Sequence, residues 1–220
     1  MKILSYNIHK GMDSNNIFTL NKMIKYLKNI DADIICLQEV LYNQFAILKQ
    51  SLKIDGVFAA NINKPTLMYG IATLSKYEIL KNEHIFLKSK KEQRGFLYTN
   101  LIYDKGCIDV INTHLGLDID ERREQISEIM DYIKDLRRSK IVCGDFNEKN
   151  ISINIFNDSA VYTNYQSIPT FEKSNARIDY ILVDKSLEID KYYVDKIYLS
   201  DHFPIIVDIK WKISPKKTNM

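Results

Sequence analysis

Lys140-Ile141-Val142-Cys143-Gly144-Asp145-Phe146-Asn147 is the stretch on which the fold turns. Its apolar run reads as a strand buried on both faces, and it breaks at a glycine into an acid and an amide. The carboxyl ends of such strands are where sheets of the α/β type hold ligands. The pattern recurs upstream: Asn7 ends a strand predicted over Lys2 to Ile8, and Glu39 closes Ile34-Ile35-Cys36-Leu37-Gln38. Strands this continuously apolar favour sheets covered by helices over an open antiparallel sheet.

Working outward, strands and helices alternate. A helix is predicted near Ile17 to Lys28, with Leu20, Ile24 and Leu27 at helical spacing and Asp13, Ser14 or Asn15 available as N-cap. A strand at Asp33 to Leu37 and a helix at about Asn43 to Leu52 follow. The middle of the chain reads as strands at Gly70 to Leu74, Ile79 to Leu87, Gly95 to Tyr103 and Cys107 to Asn112, paired antiparallel, with Lys105-Gly106 as a tight turn. A long helix from about Ile119 to Leu136 sets Ile126, Met130, Ile133 and Leu136 on one stripe and Arg122, Arg123 and Glu124 on its other face. Further strands are predicted at Lys140 to Cys143, Arg177 to Val183, Tyr192 to Ile197 and Ile205 to Trp211. The stretches Asn61 to Tyr69 and Glu148 to Pro169 read as substrate loops.

With 220 residues, 45% of them hydrophobic, and only 7 Gly and 4 Pro, the chain fits one domain over 1–212 followed by a basic tail at 213–220. A net charge of +3, from 31 basic and 28 acidic side chains, gives little steering toward a polyanion such as DNA. Cys36, Cys107 and Cys143 each lie in an apolar strand-like run, where a thiol behaves as a small buried hydrophobe. Their odd count points to a reducing compartment, and a cytoplasmic monomer is expected. The N-terminus runs straight into a strand with no signal segment, and no apolar run approaches the roughly 20 residues of a membrane span.

A hard cation such as Mg²⁺ takes oxygen ligands and few protein groups, so paired carboxylates with neighbouring amides suit one, and the same ion would neutralise a phosphate. Any one strand-end polar residue is ordinarily a turn or cap. The contexts together weigh more: Asp33-Ile34-Ile35-Cys36-Leu37-Gln38-Glu39, Asn112-Thr113-His114, Gly144-Asp145-Phe146-Asn147, Arg177-Ile178-Asp179-Tyr180 and Ser200-Asp201-His202-Phe203-Pro204-Ile205 occur in this order.

That series resembles the endonuclease/exonuclease/phosphatase superfamily, which includes DNase I-like nucleases, sphingomyelinases and inositol polyphosphate phosphatases. The resemblance covers Ile3 to about Ile209. It implies an α/β (α+β) fold of two mixed β-sheets packed face to face, with helices outside. It further implies that Glu39, Asn7 and Asp201 hold Mg²⁺ or Mn²⁺, and that Asp145 and Asn147 orient the attacking water and the phosphate. Asp145 would touch a second ion where two are bound. His202 matches a histidine oriented by a strand carboxylate, here Asp179, and by the resemblance would act as general base or phosphate contact. His114 matches a second histidine that contacts a non-bridging oxygen or protonates the leaving group. The implied activity is hydrolysis of a phosphate ester by an activated water.

Arg94 beside the Lys88 to Lys91 run reads as a solvated arginine and a weak substrate contact; His9 and His84 read as ordinary surface histidines. Tyr98, Tyr103, Tyr180 and Tyr193 fall in strand patterns and read as packing residues. The opening Tyr6-Asn7-Ile8-His9-Lys10-Gly11 is unlike the Trp-Asn start of AP endonucleases, and the connections are short. Both favour a small or lipid-derived phosphate ester; nucleic acid is the alternative substrate, and a non-catalytic binding module is the third reading.

Overall fold

Twelve strands and four α-helices, with a 3-10 turn at His9–Gly11, are found in a computed structural model that describes residues 1–104 and 106–212. The first half runs β1 (Lys2–Asn7), α1 (Leu20–Ile30), β2 (Ile34–Leu41), α2 (Tyr42–Leu52), β3 (Asp55–Lys64), β4 (Leu67–Ser75) and β5 (Ile79–Leu87). Then come β6 (Arg94–Tyr103), β7 (Gly106–His114), α3 (Ile119–Ile133) and β8 (Lys140–Asp145). The chain closes through β9 (Phe156–Asp158), α4 (Ser159–Tyr162), β10 (Asp179–Asp184), β11 (Leu187–Val194) and β12 (Ile205–Trp211). They form two six-stranded sheets, ordered β11-β12-β1-β2-β4-β3 and β5-β6-β7-β8-β10-β9. Each sheet has one parallel pair at its centre, β1 with β2 and β7 with β8, and antiparallel partners outside it.

The central strands are apolar on both faces because both are covered. Inward residues such as Ile3, Cys36, Val110, Cys143, Ile181 and Val207 pack between the sheets. The outward Leu4, Leu37 and Ile206 meet Met23, Leu27, Phe45 and Leu48 of α1 and α2, while Ile111, Val142 and Tyr180 meet Ile129 and Ile133 of α3. Each fully buried side chain of this kind contributes roughly 1.5–3 kcal/mol of transfer free energy. The three cysteines are free, Cys36 and Cys143 buried and Cys107 half-buried.

Several expected boundaries move. The first helix starts at Leu20, because Ile17 and Phe18 are spent on a turn in which Phe18 bridges Met12. The long helix ends at Ile133, and its buried face carries Arg122, which pairs with Glu148 at 2.6 Å, where a solvent-facing arginine was expected. Of the strand expected over Tyr192 to Ile197 only Tyr192 to Val194 is strand, the end of β11, which begins at Leu187, and the one expected from Arg177 starts at Asp179. Asn61 to Tyr69 is not a loop. It is the tip of the β3–β4 hairpin, and β3 is an edge strand whose Gly, Ala and Asn residues give little strand signal until β4 pairs with it. The Glu148 to Pro169 stretch contains β9 and α4. β6 and β7 pair as far as Tyr103 and Gly106, as the expected turn requires; Lys105 itself and the tail 213–220 lie outside the described residues.

Gly144, between Cys143 and Asp145 in β8, sits at φ +139, and a Cβ there would lie 1.9 Å from the carbonyl oxygen of Thr113 on β7. No side-chain rearrangement relieves a clash with backbone. Gly144→Ala is expected to destabilise the fold by more than about 2 kcal/mol. Urea unfolding measures it, and an unchanged midpoint would show that the β7–β8 approach is looser than described.

Candidate active site

Strand alternation builds the site. Every second residue of β1, β7, β8 and β10 faces the space between the sheets, and where the apolar series ends the next inward position is polar. Ile3 and Ser5 lead to Asn7, Val110 and Asn112 to His114, Ile141 and Cys143 to Asp145, and Ile181 back to Asp179. The register pairs His114 with Asp145 across β7 and β8, and Asp145 with Asp179 across β8 and β10. A polar layer separates core from site: Gln38 Nε2 donates to Asn112 Oδ1 at 2.8 Å across the two sheets, and Asn112 Nδ2 donates to the Ala72 carbonyl at 2.9 Å.

Glu39 would face outward by strict alternation from Ile34, Cys36 and Gln38. A β-bulge intervenes: the register slips between Leu37 and Val40, and Glu39 takes φ +55. Its carboxylate thereby reaches Asn7 Nδ2 at 3.4 Å, and the same Nδ2 donates to Asp145 Oδ2 at 3.0 Å. Asn147, also left-handed at φ +50, donates from its backbone N to Asp145 Oδ1 at 2.9 Å and from Nδ2 to the Leu115 carbonyl at 2.9 Å. Strain of this kind is held only where the surroundings fix it.

Asp145 Oδ2 is the meeting point of both histidines, 3.5 Å from His114 Nε2 and 3.6 Å from His202 Nε2. His202 Nδ1 lies 2.9 Å from Asp179 Oδ2, and Phe171 covers the ring at a centroid distance of 4.6 Å. Asp201 is tied in from the connection between β11 and β12. Ser200 Oγ donates to the Asn7 carbonyl at 2.8 Å, and the Asp201 carboxylate lies 3.3 Å from Lys173 Nζ and 3.7 Å from His9 Nδ1. All of Asn7, His114, Asp145, Asp179, Asp201 and His202 are buried, and Glu39 is half-buried.

Burial in low dielectric disfavours charge, and neighbours decide the outcome. For Asp145 burial is the largest influence and, with Asp179 nearby, pushes the carboxyl up to about 7 against the opposing pull of His202 and the Asn7 amide. For His202 burial pulls downward, but Asp179 and Asp145 overcome it and raise the ring to about 10. His114 goes the other way: burial, then Arg94, His202 and Lys10, hold it well below the ordinary histidine value.

The residues fit a hard divalent cation. Glu39, Asp145 and Asp201 are oxygen donors with an amide between them, no thiol is present among them, and protein ammoniums lean on two of the three, Lys10 at 3.9 Å from Glu39 and Lys173 at 3.3 Å from Asp201. Asn7 here turns Nδ2 to the carboxylates while Oδ1 accepts from His9 N at 3.0 Å, so ligation through Oδ1 requires the amide to rotate. Asp145, Asp179 and His202 also offer ligand atoms within 4.8 Å of one another. In this structure His202 Nδ1 is engaged by Asp179 in a hydrogen bond, and Asp145 Oδ2 lies 3.6 Å from the ring's other nitrogen.

Arg94, expected in solvent, is 6% exposed and lies 3.2 Å from His114 Nδ1. His9 is half-buried beside Asp201, and His84 is half-buried with its Nε2 2.9 Å from Asn61 Oδ1. Tyr69 had no signal in the sequence. Burial, reinforced by the adjacent Glu39, raises the pKa of its hydroxyl, and Lys10 lies over its ring at 5.7 Å.

Two stacked mixed sheets, with an acid, amide and histidine cluster on one edge between their central strands, define the DNase I-like sandwich. The chain belongs to the Endonuclease/Exonuclease/phosphatase family, whose model matches residues 4–202. It is 28% identical over 169 residues to protein YbhP of Escherichia coli K12, an alignment spanning 67% of this chain and 66% of YbhP. A conserved protein of Enterococcus faecalis V583 superposes with TM-score 0.82 at 20% identity, covering 96% of this chain and all of the other. A mannosyl-6-phosphatase of Bacteroides thetaiotaomicron superposes with TM-score 0.79 at 18% identity over 96% of this chain and 100% of its own. Among the described residues no helix is long and apolar enough to cross a membrane.

Since the folded pKa of His202 lies above its ordinary 6.5, its protonation stabilises the metal-free fold fully below about pH 6.5, and this contribution is lost as pH rises through about 10. Its Cε1–H resonance in metal-free protein is expected to remain that of an imidazolium at roughly pH 8. In Asp179→Asn the midpoint should fall toward the ordinary histidine value. A wild-type midpoint near that ordinary value would contradict the assigned pairing of His202 with Asp179.

Proposed function

We propose that the protein hydrolyses small phosphate esters, with Mg²⁺ or Mn²⁺ held by Glu39, Asn7 and Asp201 and with Asp145 at the edge of the same site. The observation that carries this reading is the convergence on Asp145 Oδ2 of the Asn7 amide and both histidines, beside the bulge-directed Glu39. The cation would supply charge neutralisation at the phosphate oxygens.

The protein's own groups divide the remaining work. Asp145, whose carboxyl burial raises in the metal-free protein, lies at the meeting of the Asn7 amide and both histidines and is placed to take a proton from an attacking water. Asn147 holds that carboxylate in place through its backbone N. His202, raised to about 10, suits a cationic contact to phosphate or a proton donor to the leaving oxygen better than a general base. His114, held neutral, suits a hydrogen bond to a non-bridging oxygen. In-line displacement by water then needs no covalent intermediate.

A small substrate is favoured over nucleic acid by the surroundings. Beside the site Arg94 is matched by Glu92 and Lys90 by Asp118, while Lys10 and Lys173 lean on the acids proposed to hold the metal. A polyanion track wants uncompensated lysine and arginine.

Bis-p-nitrophenyl phosphate, p-nitrophenyl phosphate and plasmid DNA, each assayed with Mg²⁺, Mn²⁺ or EDTA, test the proposal. Hydrolysis of a small ester, abolished by EDTA and restored by Mn²⁺, is expected; full activity in excess chelator overturns it, and preferential cleavage of plasmid moves the substrate to nucleic acid. Glu39→Ala and Asp145→Ala should each lower turnover by about 100-fold or more in folded protein. Mn²⁺ titration should show weakened binding in Glu39→Ala and near-normal binding in His202→Ala. Normal Mn²⁺ affinity without Glu39 would remove it from the metal group.

A further inference from the structure

We propose that Arg94 is a positioning residue that fixes His114 as its Nε2–H tautomer, an obligate hydrogen-bond donor toward Asp145 and the substrate phosphate. The inference deepens the hydrolase reading and rests on it only for the phosphate. The tautomer itself follows from Arg94.

A guanidinium has N–H groups and no acceptor, and it does not deprotonate in a protein. Arg94 Nη1 lies 3.2 Å from His114 Nδ1, with both side chains buried. The bond can form only if Nδ1 presents its lone pair. A neutral imidazole with an unprotonated Nδ1 carries its hydrogen on Nε2. That atom is the one aimed into the site, 3.5 Å from Asp145 Oδ2. Protonating Nδ1 would set an N–H against a guanidinium in a buried space.

The guanidinium is itself held. Nη1 donates to Glu92 Oε1 at 2.6 Å, and the Arg94 backbone N donates to Ser89 Oγ at 2.9 Å. Gln93 Nε2 donates both to the Arg94 carbonyl at 2.8 Å and to the Leu87 carbonyl at 2.8 Å, closing the turn that brings the arginine under cover. Residue 95, next to Arg94, pairs with His114 across β6 and β7. The two histidines are thus backed by opposite partners. Asp179 accepts from Nδ1 of His202, whereas Arg94 donates to Nδ1 of His114.

Long-range ¹H–¹⁵N correlation spectra of histidine-labelled full-length protein at pH 7 test the assignment, with His114→Gln identifying the His114 signals. Wild type is expected to show Nδ1 unprotonated and Nε2 protonated at His114, with or without Mn²⁺-free substrate analogue or inorganic phosphate. A proton on Nδ1, or a doubly protonated ring, overturns the proposal. In Arg94→Met, whose unbranched chain fills similar space, the two nitrogens should move toward a tautomer average, and kcat on the small ester should fall about tenfold or more with KM changed less. An unaltered His114 tautomer in Arg94→Met also overturns it. Because the wild-type spectrum needs neither activity nor the variant's folding, a protein with the expected tautomer but no hydrolysis would refute the proposed function and leave Arg94's role standing.

Discussion

The site depends on one constraint: a strand residue's facing is fixed by counting in twos from the core. Ile3, Val110, Ile141 and Ile181 must point between the sheets to be buried, and that requirement fixes where Asn7, His114, Asp145 and Asp179 point a few residues later. The apolar core and the polar cluster are therefore one continuous layer. Its composition changes at Gln38 and Asn112, which bond each other across the sheets and cap the core before the charges begin. Slipping any central strand by one residue would turn its polar end to a helix-covered face.

Glu39 is the exception that alternation cannot place, and the β2 bulge supplies the missing turn. The cost is a left-handed backbone at a non-glycine residue, of order 1–3 kcal/mol. Asn147 bears a similar conformation after β8, and Gly144 relieves β8 of a Cβ where it presses on Thr113. Glu39, Gly144 and Asn147 thus put local backbone distortion where the site's side chains must be aimed. The packed core on both sides of each sheet provides the stability that holds these distortions in place.

The chain's order of apolar strands ending in polar residues was enough to read helix-covered sheets and to pick out strand-end candidates, because that pattern is local; the two stacked sheets and the pairing of Asp179 with His202 came from the resemblance of the ordered motifs to the family. What escaped was set by partners distant in sequence. β3 has weak strand character of its own and becomes a strand by pairing with β4. Arg122 looked solvent-facing until Glu148, 26 residues on, supplied a buried partner. Arg94 follows a lysine run that is properly surface, and only the turn closed by Ser89 and Gln93 carries it inward. Tyr69 lay in a presumed loop, so its placement beside Glu39 could not be read.

The histidines show the same limit at the level of chemistry. His114 and His202 are alike in composition, both buried and both within 3.6 Å of the same carboxylate oxygen. What distinguishes them lies on the far side of each ring, where one meets Asp179 and the other Arg94. A residue's neighbours in sequence do not reveal that partner. For a ring whose charge is decided by burial and one hydrogen bond, the partner behind it determines whether it faces the site as a cation or as a neutral donor.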